Sequence, residues 1–333
     1  MSHFTVLVIG DNPEEQLRPF QENNMGDCPP EFMEFNDLED EYKEEYENKT
    51  LECIFDPDGK NLGSKYSDSN NQFWKREAEY GFSSKDELDL PEGYELRETP
   101  FKECYATLEE FADDWHGASG RDETTGRYGY YENPNAKWDW YQLGGRWTGF
   151  FKVKIGAEGR QGDPGLMTPD ARHGWADQIY KRDVDFEGMA EDAIRQANEK
   201  YNAFEEAIKD VEPFRTPWNE FREQFDNIDD ARKAYWQIPF IKATKDLCLM
   251  SDPVEKFKIL EDNPRQAYVN EARASAFATF AVIVDGKWYE RGEMGWWGIV
   301  SDEKDKDEWL SQLYGLIVNA PEDTLFSVFD CHI

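Results

Sequence analysis

Two short apolar runs stand at opposite ends of this chain, FTVLVIG at 4–10 and TLFSVFDCHI at 324–333. The first is rich in β-branched residues and stops at Gly10-Asp11-Asn12-Pro13, so it reads as a buried strand entering a turn. The second reads as a closing strand. Sheet segments at both ends with helices between imply an α+β fold, with a mixed or antiparallel sheet built from N- and C-terminal segments and a large helical insertion. The first and last strands are then candidates for neighbours. The 333 residues fit one large or two ordinary domains. Three regions are expected: 1–160, α+β with an acidic block and an aromatic hairpin; 161–275, a helical arm; and 276–333, a hairpin, helix and strand completing the sheet.

Between the ends, local signals vary in strength. TLECIF at 50–55 reads as a strand, and the turn-rich 56–100 as the least regular part. Thr107 with Glu110 three residues on caps a helix that carries Leu108, Phe111, Ala112 and Trp115 on one face and stops at Gly117. In KWDWYQLGGRWTGFF at 137–151, period-two alternation on both sides of Gly144-Gly145 predicts a β-hairpin, with Trp138 and Trp140 pointing one way. Phe186, Met189, Ala193, Ala197, Tyr201, Phe204, Ile208 and Val211 recur every three or four residues. They predict one amphipathic helix over 183–211, roughly 40 Å long. TFAVIVDGKWYERG at 279–292 carries an Asp-Gly hairpin signal, and Trp309, Leu310, Leu313, Tyr314 and Ile317 share a helical face before the last strand.

The charge sets limits on partners. With 71 acidic against 37 basic residues, the net charge is −34. Such a chain is repelled by nucleic acid and anionic membranes and attracts basic surfaces, although solubility alone would also account for it. Five cysteines without a CxxC pattern suggest reduced thiols. Four histidines without HExxH spacing give no metal motif, and no cofactor is expected. The opening residues lack a basic signal-peptide region and no apolar run reaches membrane-span length, so a cytoplasmic location is expected.

Four groups of residues are candidates for function. The C-terminal DCHI could approach His3 if the terminal strands pair, although Cys331 and His332 must face opposite sides of a regular strand. GEMGWWG at 292–298 places Trp296 and Trp297 on a glycine-rich loop, fit either to stack on a ligand or to cap a sheet. Trp138, Trp140, Arg146 and Trp147 form either an aromatic ligand site or plain structure. In the acidic block 31–47, Glu39, Asp40, Glu41, Glu44 and Glu45 offer either a solvated face or a mimic of phosphate charge.

Taken together, MSHFTVLVIGDNPEEQL, KWDWYQLGGRWTGFF, RDVDFEGM, GEMGWWGIVSDEKD and the terminal DCHI resemble a family of proteins encoded by bacteriophages and related mobile elements. These blocks keep one order along nearly the whole chain and are sparse in 56–100 and 183–275. The resemblance implies a phage accessory protein, and the Gabija anti-defence family is the named candidate. Two expectations follow. The first is a non-enzymatic inhibitor in the host cytoplasm, binding a bacterial defence nuclease complex through the acidic block and through Phe186, Tyr201 and Phe204, with homo-oligomerisation left open. The alternative is a small-molecule or nucleotide hydrolase or transferase at His3, Trp296, Trp297 and His332.

Overall fold

The computed structural model describes residues 2–78, 84–117, 120–122, 124–165, 172–248, 251–295 and 298–333. In chain order the first elements are β1 (His3–Ile9), α1 (Pro13–Leu17), β2 (Glu34–Asp37), α2 (Glu39–Asn48), β3 (Thr50–Phe55), β4 (Asn61–Ser64), β5 (Trp74–Ala78), β6 (Ser84–Leu88), β7 (Glu95–Pro100), α3 (Phe101–Cys104), α4 (Leu108–Trp115) and β8 (Gly129–Glu132). There follow β9 (Trp140–Leu143), β10 (Phe151–Lys152), β11 (Trp175–Ala176), β12 (Gln178–Tyr180), α5 (Phe186–Ile208), α6 (Trp218–Arg222), α7 (Ile228–Tyr235), α8 (Pro239–Cys248), α9 (Pro253–Lys256) and α10 (Pro264–Ala274). The chain closes with β13 (Ala281–Val284), β14 (Lys287–Glu290), β15 (Glu293–Met294), β16 (Val300–Ser301), α11 (Lys306–Asn319) and β17 (Leu325–His332). The class is α+β. Contacts divide the chain into two compact units, Met1–Asp27 with Asn135–Ile333, and Cys28–Pro134. The acidic block lies in the second of these, and the helices of 186–274 lie with the sheet in the first.

In the first unit the terminal strands are neighbours. β17 runs antiparallel to β1 in unbroken register from Ile9↔Phe326 to His3↔His332. The strand order β12-β17-β1-β13-β14 makes β17 an interior strand next to the central β1, and β1 with β13 is parallel, so the sheet is mixed. Alternation explains how both faces are filled. Leu7, Ile9, Val282, Phe326 and Val328 pack with Met189 of α5 and with Trp309, Leu313 and Ile317 of α11. Phe4, Val6, Val8, Ile283, Phe329 and Cys331 face the other way, against Leu17 and Trp138. Asp285 and Gly286, at φ 52° and 70°, form the expected turn between β13 and β14.

α5 starts where Asp185 caps it, its carboxylate accepting the Gly188 N–H at 2.9 Å. Its far half packs into a helical core: Tyr201 and Phe204 join Tyr235, Phe240, Ile241, Val254 and Phe257, with Phe204 stacked on Phe257 at 4.0 Å.

The second unit is held by pairings between β2 and β8 and among β4, β3 and β7. Its core is Tyr42, Leu51, Cys53, Phe101, Phe111, Ala112 and Tyr128. Thr107 caps α4 as expected, accepting from the Glu110 N–H at 3.1 Å, and Gly117 follows at φ 72°. Segment 56–100 is more regular than its turn-rich sequence suggests, holding β4 to β7. Those strands are short and polar, so no apolar alternation announces them.

The hairpin expected at Gly144-Gly145 does not form. β9 pairs with the end of β17, from Leu143↔Phe329 to Trp140↔His332, while β10 pairs with β11. Both glycines have positive φ, 73° and 53°. They serve a close approach to two buried aspartates rather than a two-residue turn.

Candidate functional site

Strand pairing delivers two histidines to one place. His3 and His332 are register partners across β1 and β17, and their rings meet edge to face with centroids 4.9 Å apart. Residues 3, 5, 7 and 9 of β1 share a face with 326, 328, 330 and 332 of β17, so Asp330 lies on the histidines' side. Nδ1 of His3 is 2.8 Å from Oδ1 of Asp330, and Nδ1 of His332 is 2.6 Å from Oδ1 of Asp139. Each carboxylate accepts from its ring Nδ1–H, which fixes the tautomer and leaves Nε2 as a base or acceptor. Among the described residues neither Nε2 has a hydrogen-bond partner. The imidazoles keep some solvent contact, at 16% and 14% side-chain exposure.

The two carboxylates are anchored differently. Asp330 is 1% exposed, and its second oxygen accepts the Arg146 N–H at 2.9 Å. Asp139 receives the Asn24 side-chain amide at 3.2 Å, while its own N–H donates to the His332 carbonyl at 2.9 Å. Glu22 stands nearby; burial and the Asp139 charge push its carboxyl up, against a downward pull from His332. Trp140, 47% exposed, meets His3 edge to face at 6.2 Å. The chemistry this offers is an oriented pair of acid–base groups on a rigid sheet end.

Beside it, the glycine loop wraps a second buried carboxylate. Asp177 is wholly buried; its Oδ1 accepts the Gly149 and Phe150 N–H groups at 2.7 and 3.0 Å, and Oδ2 accepts that of Gly162 at 2.9 Å. Burial pushes its carboxyl above the usual range, and these three donors pull it back. Asp177 organises the loop that carries Arg146 and Trp147. Sequence reading missed it, because an isolated Asp between Ala176 and Gln178 gives no signal.

The aromatic candidates are dispersed. Trp138 is buried, its Nε1 donating to the Leu17 carbonyl at 3.1 Å, so it does not share the exposure of Trp140. The Arg146 side chain is exposed, and Trp147 is half-buried. Trp296 and Trp297 lie outside the described residues. Cys331 is fully buried on the face opposite His332, as strand alternation requires. Among the described residues no group of three or more His, Cys, Asp or Glu is placed to hold a metal ion.

The candidate binding residues differ in exposure. Tyr201 and Phe204 are 4% and 1% exposed, and Phe186 packs on Phe277 at 5.1 Å. The apolar side of α5 packs largely into the protein's own cores. Among these helices lies a cavity of about 250 Å³ lined by Trp218, Tyr235, Trp236 and Ile241, with Arg232 and Lys245 beside it. The acidic block also divides. Glu39 accepts the Tyr128 N–H at 3.0 Å, and Glu45 binds His116 at 2.8 Å as well as Lys49. Burial would raise the Glu45 carboxyl, but bonds from Lys49 and His116 outweigh it and hold it low. Asp40, Glu41 and Glu44, with Glu47 beyond them, are exposed on α2.

Compared with protein-family models, curated proteins and solved structures, the chain matches none. Among the described residues no helix is long and apolar enough to cross a membrane.

Proposed function

We propose that this chain is a phage-encoded counter-defence protein that acts by binding, in the host cytoplasm, to a basic surface of a bacterial anti-phage nuclease complex, with Gabija as the named candidate. One observation carries the reading. Cys28–Pro134 holds 29 acidic and 11 basic residues, a net −18 of the chain's −34 in 107 of its 333 residues. A compact unit of this charge is repelled by nucleic acid and drawn to proteins built to bind it. Asp40, Glu41, Glu44 and Glu47 are exposed on α2 and form an anionic strip, with Asp40 also 3.3 Å from the Arg127 guanidinium. The test is phage plating on a host that carries the defence system. Wild-type protein should restore plating, and reversal of these four acids to Lys should abolish restoration while circular dichroism is unchanged. Restoration undiminished by the reversal would refute the acidic strip.

The paired His–Asp contacts favour a second reading, acid–base chemistry at the sheet end. Replacing His3 and His332 by Asn keeps a donor toward each carboxylate and removes the basic Nε2. If the doubly substituted, folded protein lost restoration while the α2 variant kept it, the enzymatic reading would replace the first.

A further inference from the structure

Cys53 and Cys104 face each other in the core of the second unit, with Sγ atoms 3.4 Å apart. Cys53 lies in the middle of β3, opposite Arg97 of β7, and is fully buried; Cys104 ends α3, which directly follows β7, and is partly exposed. An S–H···S contact is a weak hydrogen bond, so two thiols in an apolar cluster gain little from each other as thiols. A structural metal does not account for the pair, because the described residues supply no third ligand nearby. The separation is already near van der Waals contact, and a small movement of α3 brings the sulfurs to bonding distance.

We propose that Cys53 and Cys104 are a modification site, forming a reversible intramolecular disulfide by exchange with a small disulfide of the oxidised-glutathione class. The half-exposed Cys104 attacks first: its thiolate displaces one glutathione thiolate and forms a mixed disulfide. Cys53 then attacks the Cys104 sulfur and displaces the second. Two electrons pass from the cysteine pair to the oxidant, and the two thiol protons end on two reduced glutathione molecules. Burial and the neighbouring Cys53 push the Cys104 thiol up to about 12, so its thiolate is scarce and the first step is slow. The bond ties β3 to the end of α3 across a loop of about fifty residues, which restricts the unfolded chain.

The test incubates the reduced full chain with oxidised glutathione, quenches with an alkylating agent under denaturing conditions and maps peptides by mass spectrometry. The expected result is loss of two of the five thiols, a linked peptide pair containing Cys53 and Cys104, and alkylation of Cys28, Cys248 and Cys331. Dithiothreitol should restore both thiols, and the oxidised protein should unfold at higher temperature than the reduced one. Cys53→Ser should stop at a glutathione adduct on Cys104. Cys104→Ser, at the less buried position, should fold and show no oxidant-dependent shift. A wild-type protein that retains the Cys104 adduct, links a different pair, or keeps all five thiols while a control dithiol oxidises would overturn the proposal.

Discussion

At Gly145 a side chain has no room: a Cβ there would lie 2.4 Å from the Cβ of Asp330, and one at Gly144 would lie 2.5 Å from Oδ2 of Asp177. Positive φ adds to the demand. Gly145→Ala should therefore cost about 2–4 kcal/mol in chemical denaturation, whereas Gly286→Ala, at positive φ but with open space around it, should cost only about 1 kcal/mol. Equal losses would contradict the close approach. A second residue-scale prediction concerns acid. The Tyr131 hydroxyl at 2.6 Å and the Thr125 hydroxyl and N–H at 2.7 and 2.6 Å hold the Asp122 carboxyl down at about 2. Its folded value lies below the unfolded one, so its stabilising effect is complete above the ordinary 3.8 and is lost as pH falls toward 2. Denaturation midpoints from about pH 5 to pH 2 should fall less steeply for Asp122→Asn than for wild type. Identical slopes would remove Asp122 from the acid response.

Among elements, β17 has the most consequences, pairing with β1 on one side and with β12 and β9 on the other. Deleting 326–333 strands the backbone groups of all three, and should unfold the first unit rather than merely inactivate it. A truncated protein that stays monodisperse with unchanged melting would contradict this. β17 and β1 were legible because dense apolar runs need no partner to be recognised, and Asp285-Gly286 because its turn is local. The glycine pair misled because alternation on each side of Gly144-Gly145 is equally consistent with strands that pair elsewhere. The site was half legible. Pairing of the termini already puts His332 beside His3, and alternation puts Asp330 on their side. Asp139, 193 residues from His332, left no trace in local spacing. Likewise, periodicity marked Tyr201 and Phe204 as one apolar face but could not say that α7, α8 and α9 would cover it. On α2 the same limit applies: Glu45→Lys should destabilise the second unit by about 1–3 kcal/mol through loss of the His116 and Lys49 contacts, while Glu44→Lys should change its melting little.

For the whole molecule, the charge is uneven, with −18 of the −34 in Cys28–Pro134, and it acts over distance. Attraction between an acidic unit and a basic partner speeds encounter, and salt weakens it as the Debye length shrinks from about 10 Å at 0.1 M to about 3 Å at 1 M. The proposed stoichiometric blocking, led by Cys28–Pro134, is tested most directly by a titration. Increasing amounts of the purified protein are added to a fixed amount of purified Gabija nuclease complex, and DNA cleavage is measured for wild type and for the Asp40, Glu41, Glu44 and Glu47 to Lys variant. Under stoichiometric blocking, cleavage falls linearly to an endpoint at a fixed protomer ratio, and the variant associates more slowly and inhibits less at each ratio. Complete loss of cleavage at far below one protein per complex, inhibition unchanged by the reversal, or no inhibition at any ratio would contradict it.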